Sequence, residues 1–255
     1  MKKRILLLSI ALPALVIAFI IYQNINNKTT ENNIAAISKN DVTMVKHHDF
    51  PVARNLAEMT NNSQFVVIGE YKSLDSKWNM LRDPNNAKLE SKDGYVEGHL
   101  YNFEVSKVLK GDIKDNNILV NHKYLTREVY DENDEIINNE GVIVKEATTS
   151  QKYNFDNKDF LYIEPDLGDQ YILFLNEDSN LGNFYGAIEP FSIKIDKNNN
   201  AILQSNLIGG NTTNMQNFKT DKKNVTIVNE FEENIIDVIS GKSLNELITE
   251  ITAQK

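Results

Sequence analysis

Adjacent histidines followed by an aspartate, His47-His48-Asp49, are the residues of this chain that most resemble a metal-binding cluster. Imidazole and carboxylate groups are ligands that zinc and copper commonly use. Neighbouring side chains on an extended chain point to opposite sides, however, so two adjacent histidines rarely bind the same ion. The remaining histidines, His99 and His122, would have to be brought close by the fold. The sequence therefore favours a polar segment here and predicts no metal site.

A second pattern, Asp196-Lys-Asn-Asn-Asn200, has oxygen-bearing side chains at the first, third and fifth positions of a calcium-binding loop. The rest of that loop does not match, because Ala201 stands where a glycine makes the sharp turn and Leu207 where a glutamate binds the ion. Apolar residues on both sides predict a β-hairpin turn instead. The stretch 131–135 is interpreted in the same way.

Acidic side chains are concentrated between residues 156 and 169, where they could bind calcium or supply a pair of carboxylates for hydrolysis. No motif distinguishes a general acid or a nucleophile among them, and the main interpretation is a solvated loop that borders strands. An extracytoplasmic calcium-dependent module or hydrolase is the alternative. Its candidate metal ligands are Asp156, Asp159, Asp166 and Asp169. Glu164 belongs to the same acidic group.

The motifs of well-known catalytic sites do not occur in the sequence. It has no Gly-x-Ser-x-Gly, Ser-x-x-Lys, His-Glu-x-x-His, Gly-x-Gly-x-x-Gly or phosphate-loop pattern. Because the chain contains no cysteine, thiolate nucleophiles, disulfides, thiolate metal sites and a lipid-modified cysteine are also excluded. We therefore expect a protein that is not an enzyme and needs no cofactor.

The charge balance limits the partners of the protein. With 36 acidic and 27 basic residues the formal net charge is −9, and no stripe of lysine and arginine with interleaved aromatic residues occurs. Such a surface disfavours binding to nucleic acid and to anionic lipid headgroups. We expect no nucleic-acid binding, whereas cations and basic partners are compatible with the charge.

The N-terminal segment has the pattern of a membrane anchor. Three basic residues precede an apolar run over 5–22, which spans roughly 27 Å as a helix, close to the hydrocarbon thickness of a bilayer. The basic residues predict a cytoplasmic N-terminus for a single-pass protein of the cell membrane. A cleaved signal peptide is the competing interpretation, but the small residues of a cleavage site are missing. The predicted parts are a cytoplasmic tail (1–4), a transmembrane signal-anchor helix (5–22), a polar spacer (23–45) and an extracytoplasmic domain (46–255).

The predicted outer domain combines many short strands with helices near its end. A helix is predicted over 50–62, and 72–94 is expected to be a long loop. The capping box Ser243-Leu-Asn-Glu246 predicts a final helix, preceded by another over 231–239. Alternating or β-branched residues predict strands over 65–71, 99–109, 118–124, 141–145, 160–163, 171–175, 184–188 and 225–228, and a hairpin over 195–202.

Four stretches together have a familiar order: Phe65-Val-Val-Ile-Gly-Glu, Tyr101-Asn-Phe-Glu-Val-Ser-Lys-Val-Leu-Lys-Gly-Asp, Leu167-Gly-Asp-Gln-Tyr-Ile-Leu-Phe-Leu and Phe191-Ser-Ile-Lys-Ile-Asp. This order resembles uncharacterised membrane-anchored surface proteins of Gram-positive bacteria, whose outer domain is similar to the OB-like β-domains of netrins and tissue inhibitors of metalloproteinases. In those inhibitors an N-terminal cysteine binds the zinc of the target enzyme. Since this chain has no cysteine, the inhibitory mechanism does not transfer.

Pattern and resemblance lead to the same architecture, a mainly β (α+β) domain that follows an N-terminal transmembrane helix. The expected fold is an antiparallel OB-like β-barrel or sandwich with C-terminal helices. The expected function is that of a non-enzymatic envelope protein whose outer domain binds a protein or a cell-wall partner. Because long loops on a barrel usually carry the binding residues, the loops around Trp78 and over 141–155 are the expected contact surface.

Overall fold

The computed structural model describes residues 41–133, 136–137, 143–145, 150–210 and 212–254. This part of the chain is mainly β and contains two helices, which confirms the β-rich class predicted from the sequence. It divides into two compact units. The larger unit comprises the described residues between 44 and 218 and between 227 and 254, and the smaller one comprises 41–43 and 219–226.

The predicted anchor helix over 5–22 lies outside the described residues. Among the residues that are described, no helix has the length and apolar character that a membrane crossing requires.

The described chain is a long series of strands with one helix near each end. The helices are α1 (Leu56–Asn62) and α2 (Leu244–Thr252). The strands are β1 (Asp41–His48), β2 (Phe65–Asn79), β3 (Arg82–Asp83), β4 (Asn86–Glu90), β5 (Tyr95–Lys110), β6 (Asn117–Asn133), β7 (Ile136–Ile137), β8 (Ile143–Lys145), β9 (Ser150–Lys158), β10 (Gln170–Asp178), β11 (Asn183–Gly186), β12 (Ser192–Ile195), β13 (Ala201–Gln204), β14 (Thr213–Lys219) and β15 (Asn224–Phe231).

Five of these strands form a closed circuit. β5 pairs with β2 and β6, and β10 pairs with β2 and β11, all in antiparallel register. The circuit is completed by β11 and β6, which run parallel, with Phe184 opposite Val120 and Tyr185 opposite Asn121. The order around the circuit is β2-β5-β6-β11-β10. In chain order these are the first, second, third, fifth and fourth strands of the barrel.

The interior of this barrel is filled by side chains from all five strands. Successive side chains of a strand point to opposite faces. In β2, Val67 and Tyr71 therefore belong to the barrel interior, whereas Val66 and Ile68 belong to a second core outside it. The barrel interior consists of Val67, Tyr71, Tyr101, Phe103, Val105, Ile118, Val120, Tyr171, Leu173, Leu175 and Phe184.

The second core lies where both helices cover the outer face of β2 and β10, a face that the β12–β13 hairpin extends because β12 pairs with β10. Asn55 caps α1 by accepting a hydrogen bond from the Glu58 amide, and Ser243 opens α2 with the predicted capping box. Met59 of α1 and Leu247 of α2 are completely buried. The helices therefore serve as a cover for one face of the central strands.

Two predicted elements are absent from the structure. The stretch 231–239 is not a helix: β15 ends at Phe231, and Ile235 then forms a bridge with Ile208. The Ile235 backbone N–H donates to the Leu207 carbonyl at 3.1 Å, so it has a hydrogen-bond partner without forming a helix. The stretch 160–163 is a turn followed by irregular chain rather than a strand.

Two predicted boundaries also differ. The stretch 72–94 is not a loop throughout, because β2 continues to Asn79 and the chain then forms the β3–β4 hairpin. Helix α1 begins later than residue 50, since Val52 bridges to Glu189 and the Ala53 amide donates to the Glu189 carbonyl at 2.7 Å. These contacts hold the preceding chain in an extended form.

A separate sheet contains β1, β15 and β14 in that order. β1 begins at Asp41, so that part of the predicted spacer over 23–45 is a strand. In the smaller unit, the Asn224 side-chain amide donates to the Asp41 carboxylate at 2.8 Å. The predicted hairpin over 195–202 is confirmed as the antiparallel pair β12–β13.

The close approach of β2 and β5 depends on Gly69. A Cβ atom at this position would lie 2.1 Å from the Glu104 carbonyl oxygen and 2.5 Å from the Phe103 ring. We expect Gly69→Ala to lower the free energy of unfolding by about 3 kcal/mol, because backbone and a buried ring would both have to move. Chemical denaturation checks this value. Ser76→Ala, an exposed change on the same strand, is the control and should cost less than about 0.5 kcal/mol.

Candidate functional site

A pocket of about 480 Å³ lies where two connections of the barrel approach β6. We call it the loop pocket. Trp78 at the end of β2 forms one side, together with Met80 and Arg82 of the β2–β5 connection. The β10–β11 connection forms the opposite side, and Asn121 of β6 lies between them. Three segments that are distant in sequence thus meet at one end of the barrel.

A second pocket, of about 370 Å³, opens where strand pairing along one side of β6 is interrupted. β11 pairs with β6 at Val120 and Asn121, and β9 pairs with it from Leu125 onward. Neither strand pairs with His122 or Lys123. We call the resulting cavity the gap pocket. It shares Met80, Asn121 and Tyr185 with the loop pocket.

A third pocket, of about 180 Å³, continues beyond the gap pocket towards β1. We call it the stem pocket. Its aromatic walls are Phe50, Phe160 and Phe231, and His48 stacks on Phe231 with ring centroids 4.9 Å apart. The three pockets together are called the groove below. The residues that the stem pocket shares with the gap pocket are Lys123, Asp159 and Leu161.

The position of Trp78 in the groove is determined by three neighbours. Its indole Nε1–H donates to Asn121 Oδ1 at 2.8 Å, and the Arg82 guanidinium lies 4.5 Å from its ring centroid. Between them, Gly98 of β5 leaves room, because a Cβ there would lie 2.5 Å from Trp78 Nε1. The sequence predicted Trp78 as a contact residue, and the structure places it in the wall of the loop pocket.

His122 lines the gap pocket from the barrel side. Its Nε2 lies 2.9 Å from the Tyr71 hydroxyl, and its ring contacts Phe191. Burial, and secondarily the nearby His99, lower the pKa of His122 to about 3. The imidazole is therefore neutral at physiological pH and acts as a hydrogen-bonding group rather than as a charge.

Glu189 lies at the junction of the gap pocket with a small cavity of about 20 Å³, and it lines both. Its carboxylate oxygen Oε1 is shielded from solvent and has no hydrogen-bond partner, whereas Ser205 hydrogen-bonds to the same carboxyl group. Burial raises the pKa of Glu189 to about 7, and the Asp159 carboxylate adds to this shift. The groove thus contains one carboxyl group whose bonding capacity is not used.

A hydrogen-bonded network lies behind the gap pocket. The Tyr162 hydroxyl, which also borders that pocket, lies 2.7 Å from the Tyr101 hydroxyl and 3.3 Å from His99 Nδ1. His99 Nε2 in turn lies 2.9 Å from the Glu97 carboxylate. Burial, followed by the hydrogen bond with Tyr101, raises the pKa of Tyr162 well above its ordinary value. The network holds Tyr162 in place as a neutral phenol.

The four candidate aspartates of the 156–169 stretch lie in ion pairs with basic side chains. Asp156 pairs with Arg127 at 2.9 Å, and Asp159 pairs with Lys123 at 2.9 Å. Lys194 binds the other two, with its Nζ 2.6 Å from the Asp166 carboxylate and 2.5 Å from that of Asp169. Within the described residues, no group of three or more metal-ligating side chains occurs that could hold an ion.

The histidine cluster is likewise separated by the fold. His47 lies 3.2 Å from the Glu230 carboxylate, whereas His48 Nε2 lies 3.0 Å from Asn229 Oδ1 on the other side of β1. The Asp196 carboxylate accepts hydrogen bonds from the backbone N–H groups of Asn198 and Asn200, as is typical of a tight turn. The histidines of the first pattern and Asp196 of the second therefore bond to neighbouring residues of the protein.

The second predicted contact loop, 141–155, is described only in part. Its end, Ser150–Phe155, belongs to β9, and residues 141–142 and 146–149 lie outside the described residues. Sequence reasoning did not find Arg82, Tyr185 or Glu189. The polar pair Asn121-His122 in the middle of an apolar strand was the available signal, because a strand buried on both faces rarely contains two such residues.

Comparisons with known proteins identify no relative. No family model matches the chain, and neither a curated protein nor a solved structure shows significant similarity to it. The groove therefore has to be interpreted from its own chemistry.

The buried neutral His122 should make the fold sensitive to acid. The unfolded chain takes up a proton near pH 6.5 but the folded chain only near pH 3, so stability falls as the pH decreases through this interval. For His122 alone the loss is on the order of 5 kcal/mol. We expect His122→Gln to reduce this slope when urea unfolding is measured between pH 7 and pH 4. Ser76→Ala, an exposed change that removes no titratable group, is the control and should retain the wild-type slope. Parallel curves for His122→Gln and the wild type would contradict the assignment.

Proposed function

We propose that the protein is a non-enzymatic binding protein of the cell envelope, whose barrel holds a protein or cell-wall partner in the groove. The observation that carries this proposal is the continuity of the groove across the loop, gap and stem pockets, which share lining residues in pairs. Ligand sites commonly are concave surfaces with mostly apolar walls and a few polar groups. The gap pocket has this composition, whereas the loop and stem pockets on either side of it are lined by more polar and charged side chains.

The topology supports an OB-type barrel, and with it the position of the binding surface. The strand order first-second-third-fifth-fourth, with the third and fifth strands parallel, is the closed five-stranded arrangement described above. OB folds bind oligonucleotides and oligosaccharides on their second and third strands, between the connections 1–2 and 4–5. In this chain those connections are β2–β5 and β10–β11, which form the two sides of the loop pocket.

The chemistry of the groove favours a polymer with apolar faces and many hydrogen-bonding groups. Tyr185 is 42 % exposed and lies on the border of two pockets, where its ring can stack on a ligand. Amide side chains such as Asn121, Asn180 and Asn183 both donate and accept hydrogen bonds, as peptide and sugar groups require. Nucleic acid is disfavoured, because the basic residues Arg82 and Lys123 are outnumbered by carboxylates.

The membrane part of the proposal rests on the sequence. The apolar run over 5–22 with its preceding basic residues supports a single-pass anchor with the groove-bearing domain outside the membrane. The alternative, a calcium-dependent module or hydrolase, has less support, because each of its four candidate aspartates lies in an ion pair with a basic residue.

Trp78 is the only tryptophan and lies in the groove, so its fluorescence should report ligand binding. We expect purified cell-wall fragments, or a protein partner isolated with the full-length chain, to change its emission in a saturable manner. Tyr185→Ala should weaken this binding about fivefold, because a stacked aromatic ring contributes about 1 kcal/mol. Met215→Ala, a 65 % exposed residue of β14, is the matched control. Equal binding by Tyr185→Ala and the wild type would exclude the groove as the site.

The orientation can be tested on intact protoplasts. With a C-terminal tag, added protease should digest the tagged domain while the full-length size before digestion shows an uncleaved anchor. A domain that stays protected unless the cells are lysed would place the groove in the cytoplasm and reject an envelope partner.

A further inference from the structure

The gap pocket contains a carboxyl group that no basic side chain of the pocket balances. Lys123 and Asp159 line it as a pair, with 2.9 Å between Nζ and the carboxylate, and therefore neutralise one another. His122 is neutral. Glu189 is the remaining ionisable carboxyl group, and the structure gives it no cationic partner. When Glu189 is ionised, the pocket has one uncompensated negative charge.

The walls around this charge are apolar. Leu161, Ile188 and Phe191 line the gap pocket together with Glu189. An ionised carboxylate among such side chains is costly unless a cation or several hydrogen-bond donors satisfy it. Oε1 has neither, as it is buried and unpartnered. A ligand that fits this pocket therefore needs an apolar portion for the walls and a cationic donor for the carboxylate.

We propose that the gap pocket binds a primary ammonium group on an aliphatic stem, with Glu189 as its counter-ion. The inference rests on the proposed function, since the ammonium group is the part of the envelope partner that enters the groove at this point. A lysine side chain of a protein and a free diamino-acid side chain of the cell wall both carry this chemistry. The volume of about 370 Å³ accommodates either one.

Access to Oε1 requires a small movement of Glu189 itself. The terminal torsion of a glutamate side chain has a broad profile, so that its carboxylate can rotate towards the pocket at little cost. The alternative partner for Oε1 is a water molecule in the adjoining cavity, whose volume of about 20 Å³ is that of a single water site. Titration with an amine separates the two possibilities, because a water-satisfied carboxylate has no need of the amine.

The probe for this titration is Nα-acetyl-lysine amide, followed through the indole N–H resonance of Trp78 in the full-length protein. That N–H is bonded to Asn121, which lines the gap pocket, and no other tryptophan overlaps with it. We expect a saturable shift with the probe and none with its Nε-acetylated form, which lacks the charge. Glu189→Gln should weaken probe binding at least about tenfold. Glu104→Gln, a change at an exposed carboxylate of β5 paired with Lys72, should leave it unchanged.

A pH series adds a readout that a purely structural role of Glu189 would not affect. The groups that line the two cavities around Glu189 are His122, the Lys123–Asp159 pair and the hydroxyl groups of Tyr71, Tyr162, Tyr171 and Ser205. The pKa of the Glu189 carboxyl group is about 7, whereas the pKa of the His122 imidazole is about 3. Probe affinity should therefore fall about tenfold between pH 8 and pH 6, as Glu189 becomes protonated.

The outcomes distinguish this inference from the function on which it rests. A probe that gives no saturable shift, or one that binds Glu189→Gln as well as the wild type, overturns the ammonium site while Tyr185-dependent binding still supports the groove. Saturable probe binding without any wall or protein ligand would reject the proposed partner and retain the site. Wall fragments tested before and after N-acetylation test the wall as the source: loss of binding on acetylation assigns the amine to the wall, and unchanged binding excludes the wall amine as the group that binds Glu189.

Discussion

The structure depends on one constraint, the burial of both faces of the neighbouring strands β2 and β10. The side of this pair that carries Val67 and Leu173 faces the barrel interior, and the side that carries Ile68 and Phe174 packs in the second core with the helices. A register slip of one residue would exchange the two faces and bring the wrong side chains into each core. The pairing of Ile68 with Ile172 and of Val67 with Leu173 is therefore specified by two cores at once.

Closure of the barrel explains why a groove forms where it does. β11 pairs with β6 over Val120 and Asn121 only, and β9 takes over the same side of β6 at Leu125. The short interval between the two strands leaves a side of β6 open to the exterior, and the connections β2–β5 and β10–β11 extend the opening into a longer depression. The site thus results from an incomplete strand pairing in an otherwise closed circuit.

Polar groups in this opening are held by the barrel rather than by the loops alone. His122 is fixed by Tyr71 from β2, and Trp78 is fixed by Asn121 from β6 across a glycine of β5. Sites supported by regular strands keep their geometry better than sites that consist of loops only. In contrast, Asp156 and Asp166 of the acidic stretch 156–169 form ion pairs at the surface. Such ion pairs contribute little to stability.

The sequence by itself determined those features whose cause is local. Apolar and β-branched runs predicted the central strands, the Asp196–Asn200 turn predicted a hairpin, and Ser243-Leu-Asn-Glu246 predicted the start of α2, because backbone preference and nearby hydrogen bonds suffice for each. Only the tertiary structure decided that residues 231–239 leave the helical state, since the bonds of Ile235 go to Leu207 and Ile208, far away in the chain. It also decided the site. Arg82, His122 and the stretch that contains Tyr185 and Glu189 come from three segments that are distant in sequence. The unpartnered state of the Glu189 carboxylate depends on which side chains pack around it, a property that no local pattern of residues contains.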